Sequence, residues 1–79
     1  MKDQLLNEVL TTIGQNVYTL RHKENEKLTT VAKSVGVTHS VISKIENSNY
    51  ESLNLKLLVQ IANHFNVPLN TILSQNNIS

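Results

Sequence analysis

The sequence predicts an all-α fold, in which five helices form one compact domain. Apolar residues recur every three or four positions along most of the chain, which is the period of helices with one buried face. Only two glycines and one proline interrupt the 79 residues. The hydrophobic fraction is 39%, with one phenylalanine and two tyrosines, so the core should be mainly aliphatic. A chain of this length fills one modest core, and we therefore expect a single domain over residues 1–79.

The first predicted helix runs from Asp3, a suitable N-cap, to about His22. Its apolar stripe consists of Leu6, Val9 or Leu10, Ile13, Val17 and Leu20. Gly14 interrupts the pattern, and a sequence that resembles a capping box would alternatively start the helix near Thr12. We favour one continuous helix. The polar connection after it contains Asn25, which suits the left-handed conformation that closes a helix.

Two short helical segments then meet at Gly36. Their apolar faces consist of Val31, Ala32 and Val35 in the first segment, and of Val41, Ile42 and Ile45 in the second. Gly36 can take the positive φ that ends a helix, and Thr38 can cap the next helix with its side-chain oxygen. The turn is therefore tight, and Ala32 is small enough for the close approach of two steeply crossing helices. A helix-turn-helix has this geometry, and its second helix enters the major groove of DNA.

The last two predicted helices follow a polar loop. Asn54 can cap a helix over Leu55–Phe65, and Asn66 suits the left-handed conformation at its end. Pro68 presets the first turn of a short final helix that continues through Leu73. The tail after this helix, residues 74–79, should fray.

Composition argues against several classes of function. The chain contains no cysteine and therefore has no disulfide or thiolate chemistry. His22, His39 and His64 lie far apart and form no metal-ligand spacing, so we expect neither a metal nor another cofactor. His22 and His64 should lie at the surface. No nucleophile or pair of carboxylates forms a catalytic arrangement, and we expect a protein that is not an enzyme.

The chain carries neither an evident membrane segment nor a strong charge. No apolar run reaches the roughly 20 residues of a membrane span, and the N-terminus lacks a signal-peptide core, so we expect a soluble, cytoplasmic protein without a membrane partner. The net charge is +1, and residues 21–56 contain six basic and four acidic side chains. This is far from a strongly basic nucleic-acid footprint. Charge therefore permits DNA binding without establishing it.

Six short stretches occur together in a characteristic order. They are Leu20-Arg21, Val31-Ala32, Gly36-Val37-Thr38, Val41 to Asn47, Ile61-Ala62 and Val67 to Leu73. In these stretches the chain resembles the Cro-like, XRE-type helix-turn-helix family of phage repressors and related bacterial regulators, over about residues 13–73. The resemblance implies a lambda-repressor-like domain whose helices 2 and 3 form the helix-turn-helix, with residues 1–12 as an N-terminal helix extension. It also implies a sequence-specific regulator of transcription that binds double-stranded operator DNA.

The resemblance also assigns candidate contacts with DNA. The base-reading positions of the family correspond to His39, Ser40, Ser43 and Lys44. After a cap at residue 38, these positions cluster on the polar face near the end of the helix that enters the groove. The candidates for contact with the DNA backbone are Lys27, Thr29, Thr30, Lys33, Thr38, Asn47, Asn49 and Tyr50. A structural role is open for each of these, and Tyr50 can equally pack on the domain.

Other family positions bear on structure. The family joins the positions of Arg21 and Glu46 in a salt bridge, so we expect an ion pair between the first helix and the third. Lys27 stands where a polar residue normally caps the second helix, and Leu28 stands where a glutamine commonly touches a phosphate. Ser48 replaces a common glycine after the third helix. Such changes near loops alter docking on the DNA backbone more readily than the fold.

A domain of this size offers few base contacts, so we expect a homodimer on two half-sites of a two-fold operator. The candidate dimer contacts are Leu5, Val9, Val67, Leu69, Ile72 and Leu73. The alternative is an antitoxin-like protein-interaction module, which binds a protein partner and uses DNA binding for autoregulation.

Overall fold

The computed structural model describes residues 4–75, which form five helices and no strand. The helices are α1 (Gln4–Lys23), α2 (Leu28–Val35), α3 (His39–Glu46), α4 (Leu55–Phe65) and α5 (Leu69–Leu73). The predicted all-α fold, with a helix-turn-helix formed by α2 and α3, is confirmed. The first helix is continuous, so the alternative start near Thr12 is wrong. The predicted cap at Asp3 lies outside the described residues.

Left-handed residues end the helices where the sequence predicts them. Gly36 follows α2 with a φ of 81°, and Asn66 follows α4 with a φ of 58°. Asn25, in the connection after α1, has a φ of 57°. At the start of α4, the Leu57 N–H donates to Asn54 Oδ1 over 2.8 Å. These helix ends are fixed by local chemistry, which explains why the predicted end of α2 and both predicted ends of α4 agree with the structure.

The predicted side-chain cap of α3 is wrong. Thr38 occupies the N-cap position in an extended conformation, but its hydroxyl makes no capping hydrogen bond. The Val41 N–H, which such a cap commonly satisfies, instead donates to the Thr38 carbonyl over 3.0 Å. The Thr38 side chain is left exposed beside the first turn of α3.

The core lies where all five helices meet. α1 packs against α3, α4 and α5, whereas α2 packs against α3 and α4. The buried cluster consists of Ile13, Val17, Leu20, Val31, Ala32, Val35, Ile42, Ile45, Leu57, Ile61, Ala62, Phe65 and Ile72. The expectation that Ile72 contributes to a dimer surface is wrong, because α5 turns this side chain inward and buries it completely.

Gly14 lies within α1, at the point where the end of α3 packs against that helix and leaves no room for a side chain. A Cβ atom built on Gly14 would lie 2.5 Å from the Ile45 carbonyl oxygen and 3.0 Å from that of Glu46. The glycine therefore does not break the helix. It allows the backbones of α1 and α3 to approach, and so determines where the second helix of the helix-turn-helix sits.

Asn16 fastens α5 and the residue after it to α1. Its buried Nδ2 group donates to the Ile72 carbonyl over 2.7 Å and to the Ser74 carbonyl over 2.9 Å. The predicted fraying is therefore wrong for Ser74, because Asn16 holds its backbone. Residues 76–79 of the predicted tail lie outside the described residues.

Ser48 adopts a left-handed conformation, with a φ of 64°, in the turn that ends α3. We expect Ser48→Gly to raise the free energy of unfolding by about 0.5–1 kcal/mol. Glycine removes the steric cost of the left-handed conformation, and the greater entropy that glycine gives the unfolded chain cancels only part of this gain. Urea denaturation measures the change. The matched control is Ser52→Gly in the same loop, where φ is not positive. Equal effects of the two glycines would contradict the conformational explanation.

Candidate nucleic-acid interface

The helix-turn-helix presents one polar face of α3 to solvent. After Gly36, the Val37 N–H donates to the Ala32 carbonyl over 3.0 Å, and the chain turns directly into α3. Ile42 and Ile45 anchor the inner face of α3 in the core. Three of the four predicted base-reading residues are exposed on its outer side, namely His39, Ser40 and Lys44.

The fourth base-reading candidate, Ser43, is half-buried. Its carbonyl accepts a hydrogen bond of 2.8 Å from the Asn47 side-chain amide, and the same amide lies 3.5 Å from the Ser43 hydroxyl. Asn47, predicted as a backbone contact, thus also secures the last turn of α3. The first turn of α3, with Lys44 one turn further on, is the more accessible part of this face.

The predicted contacts with the DNA backbone fall into two groups. Those that are exposed are Lys27, Thr29, Thr30, Lys33, Thr38, Asn47 and Asn49. Tyr50 is half-buried and packs against the core, which agrees with its structural interpretation. At the start of α2, Lys27 occupies the N-cap position without a side-chain cap. The first N–H groups of α2 are therefore not satisfied by this side chain.

Arg21 and Glu46 join α1 to the end of α3 through two hydrogen bonds. Arg21 Nε donates to Glu46 Oε2 over 2.6 Å, and Nη2 donates to Oε1 over 3.0 Å. The two side chains are only 12% and 7% exposed. The hydrogen bond to Glu46 raises the pKa of Arg21, although burial opposes the shift. Arg21 Nη1 also donates to the Glu26 carbonyl over 2.8 Å, so one guanidinium holds both α3 and the connection before α2.

His64 is not the surface residue that the sequence predicts. Its side chain is 11% exposed, its Nε2 lies 2.6 Å from Glu26 Oε1, and its Nδ1 lies 2.7 Å from Ser34 Oγ. The sequence does not indicate this burial, because both partners of His64 are remote along the chain, at separations of 38 and 30 residues. By contrast, His22 is exposed, and its ring lies against Tyr18 with 4.1 Å between ring centroids.

The remaining dimer candidates differ in accessibility. Leu5 is 73% exposed, and Val9 and Leu73 are also exposed. Val67 and Leu69 are half-buried, and Val67 packs against the core. The apolar stripe of α1 continues inward through Leu10, which is buried, so its exposed part is confined to the first two turns.

A short helix held against the core, with polar side chains on its outer face and a tight turn before it, defines a DNA-binding domain of the kind found in transcription regulators. The chain belongs to the helix-turn-helix family, whose family model matches residues 23–72. The Cro-like, XRE-type resemblance is thereby confirmed, although the match begins at the end of α1. No curated protein matches the chain significantly. Over residues 4–75, no helix is both long and apolar enough to cross a membrane.

Proposed function

We propose that this protein is a sequence-specific transcriptional regulator of the repressor type, which binds double-stranded operator DNA as a homodimer. The carrying observation is the contrast between the two faces of α3. Ile42 and Ile45 are completely or almost completely buried, whereas His39, Ser40 and Lys44 point away from the core. A helix anchored in this way can enter the major groove without rearrangement of the domain.

Direct sequence recognition rests on the chemistry of these exposed side chains. The Lys44 ammonium group can donate to O6 or N7 of guanine in the major groove. His39 and Ser40 lie in the first turn of α3, and both can donate or accept hydrogen bonds at base edges. The exposed residues of α2 supply the contacts that fix register on the phosphates. Lys33 is a charged donor there, and Thr29 and Thr30 are hydroxyl donors.

Homodimerisation follows from the small number of base contacts on one α3. Two copies on half-sites about 34 Å apart would double those contacts and match a two-fold symmetric operator. The exposed apolar residues Leu5, Val9 and Leu73 are the available dimer contacts. We expect Val9→Asp to weaken self-association if this surface joins the copies, whereas Asn7→Asp on the exposed part of the same helix adds the same charge without removing an apolar side chain.

A protein-interaction function of the antitoxin kind is the second candidate. The exposed start of α1 favours it, because Leu5, Leu6 and Val9 lie outside the matched range of the family and are left uncovered. If Val9→Asp still self-associates, the exposed start of α1 is not the dimer contact and is available to a different protein. If Val9→Asp loses both self-association and operator binding, the homodimer is supported instead.

We also propose that the protein is not an enzyme. Ser34, His64 and Glu26 together contain the residue types of a hydrolytic triad, and their atoms lie within hydrogen-bonding distance. Ser34, however, lies inside α2, where neighbouring backbone N–H groups are committed to the helix. Such a serine has no backbone donors free to stabilise an oxyanion. The three residues therefore serve better as a structural bridge.

The decisive experiment is selection of binding sites from random double-stranded DNA. We expect an enriched sequence with two-fold symmetry, and an affinity that falls steeply with salt as counterions are released from the phosphates. Enrichment of an asymmetric site would contradict the homodimer. An affinity that is flat between low and moderate salt, together with no enriched sequence, would contradict DNA binding altogether.

Lys44→Ala is expected to weaken binding to the selected operator by about 1–3 kcal/mol and to leave binding to random DNA nearly unchanged, because the lost contact is to a base edge. Lys33→Ala is the matched control, since it removes an exposed ammonium group from α2 and should weaken both complexes equally. Fluorescence anisotropy with both duplexes measures the difference. Equal losses for Lys44→Ala on the two duplexes would make Lys44 a phosphate contact.

A further inference from the structure

A polar bridge connects α4 with both flanks of α2. The bridge consists of Glu26, Ser34 and His64, and we call it the His64 bridge. His64 Nε2 lies 2.6 Å from Glu26 Oε1, two residues before α2 begins. His64 Nδ1 lies 2.7 Å from Ser34 Oγ, one residue before α2 ends. A single imidazole ring thus contacts the chain immediately before α2 and the last turn of α2.

The proton positions follow from the chemistry of the partners. A carboxylate can only accept hydrogen bonds, so the Nε2–H group of His64 donates to Glu26. In the neutral ring, Nδ1 then accepts from the Ser34 hydroxyl. If the ring is doubly protonated, Nδ1–H donates and the hydroxyl oxygen accepts, because a hydroxyl can do either. Both contacts therefore persist in either protonation state of the ring.

Glu26 is also fixed through its main chain. Its N–H donates to the Arg21 carbonyl over 3.0 Å, and its carbonyl accepts from Arg21 Nη1 over 2.8 Å. Arg21 in turn pairs with Glu46 at the end of α3. The main chain of Glu26 is thus tied to α1 and, through the Arg21 pair, to α3, while its side chain is tied to α4. Glu26 thus links the start of α2 directly to α1 and α4, and to α3 through Arg21.

The His64 bridge matters because α2 has no side-chain N-cap hydrogen bond to hold its first turn. Lys27, at the N-cap, has no side-chain acceptor and makes no capping bond. Glu26, the preceding residue, is the one held by three hydrogen bonds. The residue that fixes the start of α2 is therefore Glu26, one residue before the N-cap position.

We propose that Glu26 and His64 are positioning residues for DNA binding, which set the location of α2 and hence of its exposed Thr29, Thr30 and Lys33 on the DNA backbone. The proposal rests on the proposed function, since it concerns how the same interface docks. Neither Glu26 nor His64 needs to touch DNA. Loss of the bridge should therefore weaken the phosphate contacts of α2. Base recognition by α3 should be retained, because Arg21 and Ile45 hold α3 without the side chains of Glu26 and His64.

The test compares Glu26→Ala and His64→Ala with a variant of similar structural cost elsewhere. Asn16→Ala is the matched control, because it breaks the two hydrogen bonds from α1 to the Ile72 and Ser74 carbonyls at the end of α5 and leaves α2 untouched. Affinity is measured for the selected operator and for a random duplex, at a temperature where circular dichroism shows each variant fully folded. The affinity of Glu26→Ala and of His64→Ala should fall roughly fivefold for both duplexes, which corresponds to the effect of losing one helix N-cap. The preference for the operator over the random duplex should be unchanged.

A second readout separates positioning from general loss of stability. Amide hydrogen exchange in the free protein should accelerate in α2 for Glu26→Ala and His64→Ala, whereas Asn16→Ala should accelerate exchange in α5. Ser34→Ala breaks only one bond of the bridge and should give a smaller effect than His64→Ala on both readouts.

The possible outcomes distinguish the two proposals. If the wild-type protein binds neither duplex, the proposed function fails, and the positioning role fails with it. If the wild-type protein binds but folded Glu26→Ala and His64→Ala bind as tightly, only the positioning role is overturned. A loss confined to the operator would also overturn it, because that pattern would place the effect at base recognition by α3.

Discussion

Gly14→Ala is expected to destabilise the fold by about 2 kcal/mol or more, which corresponds to a fall in Tm of roughly 10 °C for a domain of this size. The added Cβ would lie 2.5 Å from the Ile45 carbonyl oxygen, and backbone atoms cannot swing aside as a side chain can. Alanine in a helix interior otherwise favours folding by about 0.5–1 kcal/mol over glycine. The steric cost should exceed this gain, because α1 and α3 must separate along their buried contact.

Two control variants isolate the steric cause. Thr11→Ala, at an exposed position of α1, should leave the free energy of unfolding unchanged or raise it by a few tenths of a kcal/mol. Gly36→Ala meets no atom within 4 Å, but its φ of 81° should cost about 1–2 kcal/mol. Thermal and urea denaturation measure all three variants. A neutral or stabilising Gly14→Ala would show that α1 and α3 do not approach this closely in solution.

The predictable part of the fold consists of features that depend on neighbouring residues. Gly36 and Asn66 end α2 and α4 because their own backbones tolerate a left-handed conformation. Asn54 caps α4 with an acceptor only three residues from its donor. The exposed face of α3 likewise follows from helical period, once Ile42 and Ile45 are placed inside. Local periodicity and capping thus predict the helix-turn-helix and the accessibility of most of its candidate contacts.

The features missed by sequence reasoning depend on residues far along the chain. Asn16 is a polar residue within the apolar stripe of α1, and nothing near it in sequence indicates its role. Its hydrogen-bond partner, the Ile72 carbonyl, lies 56 residues away along the chain. Gly14 resembles a helix breaker because nothing near it indicates the approach of α3. Sequence does not show which side of α5 Ile72 occupies, because five residues are too few for periodicity to separate inner from outer positions. Thr38 shows that a suitable residue at an N-cap need not form the capping bond.

Arg21→Met should destabilise the protein by about 3 kcal/mol, because it leaves the Glu46 carboxylate without its partner at a position where the side chain is only 7% exposed. Glu46 is the last residue of α3, so the unpaired carboxylate would also face the negative end of the helix dipole. Urea denaturation measures the loss. Lys23→Met is the control, since Lys23 lies at the same end of α1 but is exposed, and its replacement should change the free energy of unfolding by less than about 0.5 kcal/mol.

The double variant Arg21→Met/Glu46→Leu tests whether the unpaired charge is the cause. Replacing both partners by apolar side chains removes the desolvated carboxylate, so the double variant should be more stable than Arg21→Met alone. It should not recover completely, because the bond from Arg21 to the Glu26 carbonyl is also lost. If the double variant were no more stable than Arg21→Met, the contribution of Arg21 would come from its hold on the connection before α2. In that case the ion pair with α3 would be the minor part of its role.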